Sequence, residues 1–423
     1  MNISNMLISY KQCRHPYIYM FVSILLVLNF LIKIQAGLKL GLDINDYNFS
    51  EFLINFEGGF VRRGLIGQIL FYISCYTGWS PLYVVYALCI SAWLTVVGFL
   101  FFLFKKRNIR WWILLSPLML GMAVEIIRKD YLLYLIIFAM LYLTRTKDIS
   151  NTRYFCCLFL IILGLLVHEA LIFYGIPLVL LLIYKKSSRL KSVSAILITV
   201  GMFILISCFK GNHDSPIRIV ESWNNLHIHG FPYLVLNKYN SIGALGWDIL
   251  FTFKFHFITN FFNSYFGWFG FIYQPLTLLL SYYFIMNFSA VFSPKDKAER
   301  IRTTLSSVYA FNIICLLPMF IFLSCDYGRL YQFAFVTSYA IFLIVPYPMV
   351  LSLFHTKYIG IIQKFNIFLN RLLIPSKGIL IVILLLFAVE LWSFNPVGNL
   401  RNSILFTDYN WIFKILRTVY THI

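Results

Sequence analysis

The sequence predicts an all-α polytopic membrane protein with about eleven transmembrane helices, short hairpin turns, one re-entrant or interfacial segment and a longer outer loop. Three observations carry that expectation. Hydrophobic residues make up 60% of the 423 residues and charged residues only 12%, about half the charged share of a soluble domain. Apolar runs recur from Tyr17 to Phe394, and crossing ~30 Å of hydrocarbon takes about 20 residues. Lys and Arg bunch between alternate runs, the mark of an oriented membrane chain. No polar block is long enough to fold alone, so residues 1–423 are read as a single integral membrane domain.

In chain order, the spans fall at 17–36, 81–104, 111–127, 131–144, 154–168, 171–184, 193–209, 264–290, 304–323, 331–354 and 377–394. The first follows Lys11 and Arg14 with no small-residue cleavage site after it, so it reads as an uncleaved span rather than a signal peptide. Segment 64–78 is apolar but short and flanked by glycine. Treating it as interfacial or re-entrant, with a cytoplasmic N-terminus, puts every dense basic cluster on one side. These clusters are Lys11/Arg14, Lys105–Arg110, Arg145–Arg153, Lys185–Lys191, Lys295–Arg302 and Lys357–Lys377. They hold 21 of the 35 Lys and Arg but only Asp148, Asp296 and Glu299 as acids. Making 64–78 a full span would break the pattern. Outer loops then lie at 37–63 and 210–263, and the tail 395–423 reads as outer and interfacial.

This sidedness accounts for the net charge of +19 without a nucleic-acid partner. The eight cysteines lie mostly within apolar runs and include no CxxC or Cys/His metal spacing, which reads as packing. No phosphate-binding loop, dinucleotide fingerprint or GxSxG occurs, and neither a metal nor a cofactor is expected.

Charged side chains in tight turns at the membrane boundary are costly to desolvate, so several on one face suggest a site. The sharpest is Glu57-Gly-Gly-Phe-Val-Arg-Arg-Gly-Leu-Ile-Gly67. Arg62 and Arg63 between glycines offer planar, permanently charged donors suited to phosphate oxygens; the alternative is a snorkelling interfacial anchor. In Glu125-Ile-Ile-Arg-Lys-Asp130, Arg128 and Lys129 are further phosphate candidates, with Glu125–Arg128 pairing as the alternative. His168 and Glu169 end an apolar run, where a His beside a Glu serves as a general base or orients an acceptor hydroxyl. The run is not HExxH, so zinc is not indicated. Asp326-Tyr-Gly-Arg329 offers a carboxylate and a phosphate ligand or else a plain salt bridge, and His227-Ile-His229 reads as a solvated loop. The catalytic candidates are therefore His168, Glu169, Glu57 and Asp326. The diphosphate-binding candidates are Arg62, Arg63, Arg128, Lys129 and Arg329.

With many spans, outer-face arginines, the His168-Glu169-Ala170-Leu171 turn and the Arg128-Lys129-Asp130 motif opening a short helix, the chain resembles the bacterial O-antigen and exopolysaccharide polymerases, the Wzy-type and EpsG-like families. The resemblance is one of layout along most of the chain. It implies joining of oligosaccharide repeat units on undecaprenyl diphosphate at the outer face of the bacterial cell membrane, with a chain-length regulator protein as a further partner. By position, Arg62, Arg63 and Arg128 would take the diphosphate, and His168 and Glu169 would lie near the acceptor. One departure is the longer loop 210–263, which holds only Lys210, Arg218, Lys238 and Lys254 as basic residues, fewer than many Wzy-type loops carry. A single-sugar transferase of the GT-C type using a polyprenyl-phosphate donor is a second expectation, with Asp43, Asp46 or Glu57 as its acid. A transporter or flippase for the same lipid is a third.

Overall fold

The computed structural model describes residues 47–107, 127–209, 211–238, 240–255, 267–291, 293, 295–323 and 327–388. Among these residues the regular structure is helical, with no strand. Three described helices are long and apolar enough to cross a membrane: Pro81–Lys106, Arg189–Cys208 and Lys297–Ile321. A fourth span results if the bent pair Thr356–Leu372 and Lys377–Ile383 is counted as one. Shorter apolar helices run at Gly64–Thr77, Asp130–Thr144, Asn151–Val167, Pro275–Val291 and Arg329–Ile344. The expected first span, nearly all of 111–127 and the tail 395–423 lie outside the described residues.

Local chemistry sets the helix ends. Pro81 opens its helix with a missing N–H that costs nothing in the first turn. Ser150 and Ser188 cap the next starts by accepting from Arg153 N and Lys191 N. The segment 64–78 is one continuous helix, Gly64–Thr77, closed by Gly78 at φ 69°, a left-handed turn that glycine takes without strain. The expected helix 171–184 begins later, at Ile176. A 3₁₀ turn over Glu169–Ile172 and Gly175 at φ 119° come first. The expected span 331–354 stops at Ile344 and resumes at Tyr347, because Pro346 cannot donate and forces Val345 out of helical geometry. The basic connection after residue 355 is itself a helix, Thr356–Leu372.

Among the described residues two apolar clusters organise the packing. The larger one lies between helices Pro81–Lys106, Asp130–Thr144, Asn151–Val167, Gly267–Val291, Lys295–Pro318 and Tyr327–Ile344, around Tyr134, Phe333, Tyr309 and Tyr339. The exposed apolar side chains of Arg189–Cys208, such as Leu190, Leu197 and Ile204, suit contact with lipid tails. The smaller cluster joins two segments distant in sequence: Phe49, Phe52 and Leu53 pack with Phe71, Ile219, Trp223 and Ile242. Trp223 Nε1 donates to Leu53 O at 2.7 Å, Ser215 Oγ to Gly58 O at 2.8 Å, and Arg62 N to Phe209 O at 2.8 Å. Helix Ser215–Asn224 and the residues that follow it thus pack over segment 47–63.

Turns assigned to one face by the charge pattern do meet in space. Arg63 contacts Glu51, Lys129 and Glu169, His168 contacts Glu51 and Glu169, and Asp130 beside Lys129 binds Arg329. At the opposite helix ends Arg107 donates to Leu343 O at 3.0 Å, and Lys186 Nζ donates to Thr144 O.

Candidate functional site

The site starts from the arginine pair. Gly67 allows the chain to double back, because a Cβ there would lie 1.8 Å from Ile54 O. Just before the helix, Arg63 takes φ 64°, a left-handed conformation costing a non-glycine residue roughly 1–2 kcal/mol. Its neighbours hold it there. Arg63 Nε lies 3.0 and 2.9 Å from the two oxygens of Glu169, and Nη2 lies 2.6 Å from Oε1. Its carbonyl accepts from Lys129 Nζ at 3.0 Å.

Glu51, on the short helix Tyr47–Phe52, closes the cluster from the other side. Its Oε1 lies 3.5 Å from Arg63 Nη1 and 3.3 Å from His168 Nε2. His168 Nδ1 accepts from Ala170 N at 3.1 Å, capping the 3₁₀ turn. With Nδ1 an acceptor, the neutral ring carries its proton on Nε2, facing Glu51. Behind these groups Asp130 accepts from Arg329 Nε at 2.8 Å, and its other oxygen lies 3.8 Å from Arg128 Nη1.

Burial and charge tune the groups in the turns. Burial on its own would raise the carboxyl of Glu51, but His168, Lys129 and Arg63 outweigh it and bring it to about 2. Glu169 is likewise held well below the usual carboxylate range, with Arg63 overcoming the effect of burial. Burial, reinforced by Arg63, pushes the His168 imidazole down to about 3, so it is neutral at pH 7. Burial also brings the Lys129 ammonium down to about 8.

Arg62 differs from its neighbour. Among the described residues its acceptors are Ala244 O at 3.5 Å and Glu169 Oε1 at 3.6 Å, and its Nε is buried with no hydrogen-bond partner there. The guanidinium therefore sits at the rim of the cluster with most of its donor capacity unspent. A buried donor without a partner costs about 1–3 kcal/mol, and an anion at this rim would remove that cost.

The sequence-predicted residues thus divide. Arg62, Arg63, Lys129, His168 and Glu169 come together, and Arg128 and Arg329 join through Asp130. Glu57 stands on the exposed loop surface, its Oε1 accepting from Gln68 Nε2 at 3.0 Å. Asp326 and Glu125 lie outside the described residues, and His227 and His229 are exposed. Sequence reasoning passed over Glu51. The available signal was a lone carboxylate set among Phe49, Phe52 and Leu53, in a place where only a paired charge is tolerated. Among the described residues no group of three or more His, Cys, Asp or Glu side chains is placed to hold a metal ion. Compared with protein-family models, curated proteins and solved structures, the chain matches none.

Proposed function

We propose that this protein is a surface-polysaccharide polymerase of the bacterial cell membrane, joining oligosaccharide repeat units carried on undecaprenyl diphosphate at the outer face. In this reading the chain crosses the membrane about eleven times from a cytoplasmic N-terminus, and helix Gly64–Thr77 lies at the outer interface. A chain-length regulator protein is a further partner. The observation that carries the reading is Arg62, a guanidinium with unspent donors at the rim of a buried ionic cluster. Around the cluster are the ends of apolar helices, which suit a ligand with its tail in lipid and its phosphate at the boundary.

In the reaction, the bond from the anomeric carbon of the donor sugar to the diphosphate oxygen breaks. A new bond forms from that carbon to an acceptor hydroxyl oxygen. The diphosphate leaves with the bonding electrons, and Arg62, backed by Arg63 and Lys129, stabilises its growing charge; one well-placed donor in a dry site is worth roughly 3 kcal/mol. The acceptor proton passes to a carboxylate. Glu57, on the exposed loop surface and accepting from the neutral Gln68 amide, is assigned this role because Glu51 and Glu169 are engaged by Arg63. His168, neutral and bonded at Nδ1, orients groups rather than taking the proton.

A GT-C-type transferase remains the second reading, favoured by one observation. Glu51, an acid of the first outer loop, reaches the centre of the cluster. Surface glycans from strains carrying Arg62→Ala separate the two. Under the polymerase reading, single repeat units still reach the surface and long chains vanish. A truncated or altered repeat unit points to the single-sugar transferase, and lipid-linked units held at the cytoplasmic face point to a flippase. Normal chain length refutes the role given to Arg62.

A further inference from the structure

Helix Thr356–Leu372 packs against helices Gly267–Val291 and Lys295–Pro318, and it shows three separate faces. One packs inward: Ile362, Asn366 and Leu369 are buried. Hydrogen bonds fix its rotation. Tyr282 Oη donates to Asn366 Oδ1 at 2.7 Å, Asn366 Nδ2 to Ser306 Oγ at 2.9 Å, and Tyr358 Oη to Ser307 O at 2.8 Å. Near its end, Asn287 Nδ2 donates to Asn370 Oδ1 at 2.9 Å.

The second face is an exposed apolar stripe. Ile361, Phe365, Phe368 and Leu372 recur at helical spacing and are 65%, 39%, 56% and 63% exposed. The third runs beside it. Lys357, Lys364 and Arg371 stand seven residues, or two turns, apart on one ridge, and all are exposed. No acidic residue occurs between His355 and Ala388. After Leu372 the chain turns by 97° into the apolar helix that begins at Lys377. If that following helix enters the bilayer, Thr356–Leu372 lies in the plane of its surface.

We propose that helix Thr356–Leu372 rests in the membrane interface, and that its Lys357–Lys364–Arg371 ridge collects anionic lipid headgroups. An apolar stripe bordered by basic side chains is the form that suits a charged lipid surface. The stripe sinks into the acyl region while the three long basic side chains extend to the headgroups. Charge complementarity selects the occupant: the ridge is purely cationic, and the 97° turn presents it at the level where phospholipid phosphates lie. This inference needs only a membrane-embedded chain and stands apart from the glycan reading.

The test uses the full chain in phosphatidylcholine vesicles, with an environment-sensitive fluorescent amino acid incorporated at position 368. Quenching is compared for phosphatidylglycerol and phosphatidylcholine, each bearing a nitroxide near the glycerol and each at the same low mole fraction. Both lipids are expected to quench, the anionic one about fivefold more strongly, the enrichment given by one basic residue near the surface. The triple substitution Lys357→Gln, Lys364→Gln, Arg371→Gln brings the two to parity, and Lys357→Arg with Lys364→Arg preserves the difference. Equal quenching in the unmodified ridge overturns the headgroup selectivity. Absence of quenching by either lipid overturns the interfacial placement and shows the face covered by protein or open to water.

Discussion

Arg63 and Glu169, 106 residues apart in sequence, meet through three nitrogen–oxygen contacts of 2.6–3.0 Å at the centre of the site. This pair ties the segment before helix Gly64–Thr77 to the turn before helix Ile176–Lys186 and holds Arg63 in its left-handed conformation. Both side chains are mostly buried, 18% and 11% exposed. Removing one partner leaves a desolvated charge behind, so Glu169→Gln and Arg63→Gln should each lower stability by about 3–5 kcal/mol. Thermal unfolding in detergent measures this, and a shift within error for either variant would show the pair to be incidental.

Arg62 should behave in the opposite way. Its weak contacts contribute little to the fold, so Arg62→Gln is expected to change stability by less than about 1 kcal/mol while abolishing long-chain polymer. A variant that unfolds like Arg63→Gln would mean that Arg62 belongs to the scaffold.

Lys129 gives a pH signature. Its folded value of about 8 lies below the ordinary 10.5, so between these pH values the unfolded chain holds the proton that the folded chain has lost. Stability contributed through this group therefore rises with pH across about 8 to 10.5. The rise should be present in the unmodified protein and missing from Lys129→Met. Parallel stability curves for the two proteins would contradict this.

His168 makes a second prediction of this kind. With the imidazole held down near 3, its contribution to stability falls as pH drops from about 6.5 toward 3, because the unfolded state protonates first. Activity should show no acidic limb near pH 6.5 belonging to this residue. A limb at that pH that disappears in His168→Gln would restore His168 as the base.

Gly67→Ala tests the corner that presents the arginines. The added Cβ would lie 1.8 Å from a backbone oxygen, a clash that no side-chain rotation relieves. Folded yield should collapse, and normal yield with normal glycans would show that the corner is looser than its geometry.

Much of this site was legible in the sequence because charge is conspicuous in an apolar chain. Arg62, Arg63, Lys129, His168 and Glu169 stood out through the cost of placing them at tight turns, and the alternation of basic clusters assigned those turns to one face. Partner choice was not legible. Glu51 rather than Glu57 reaches the cluster, because Gln68 engages Glu57 while helix Tyr47–Phe52 turns Glu51 inward; neither contact follows from local spacing. Helix boundaries were misread where single residues intervene, as at Gly175 and Pro346. Helix Thr356–Leu372 entered only as a basic cluster between two spans, because its basic ridge hid the apolar period beside it.

In the proposed reaction Arg62 receives the phosphate of a lipid carrier. Equilibrium binding of undecaprenyl diphosphate to the purified full-length protein tests it most directly, comparing the unmodified chain with Arg62→Gln under matched detergent and salt. Loss of one charge-assisted contact should weaken binding by about tenfold or more. Equal affinity in the two proteins would contradict the account.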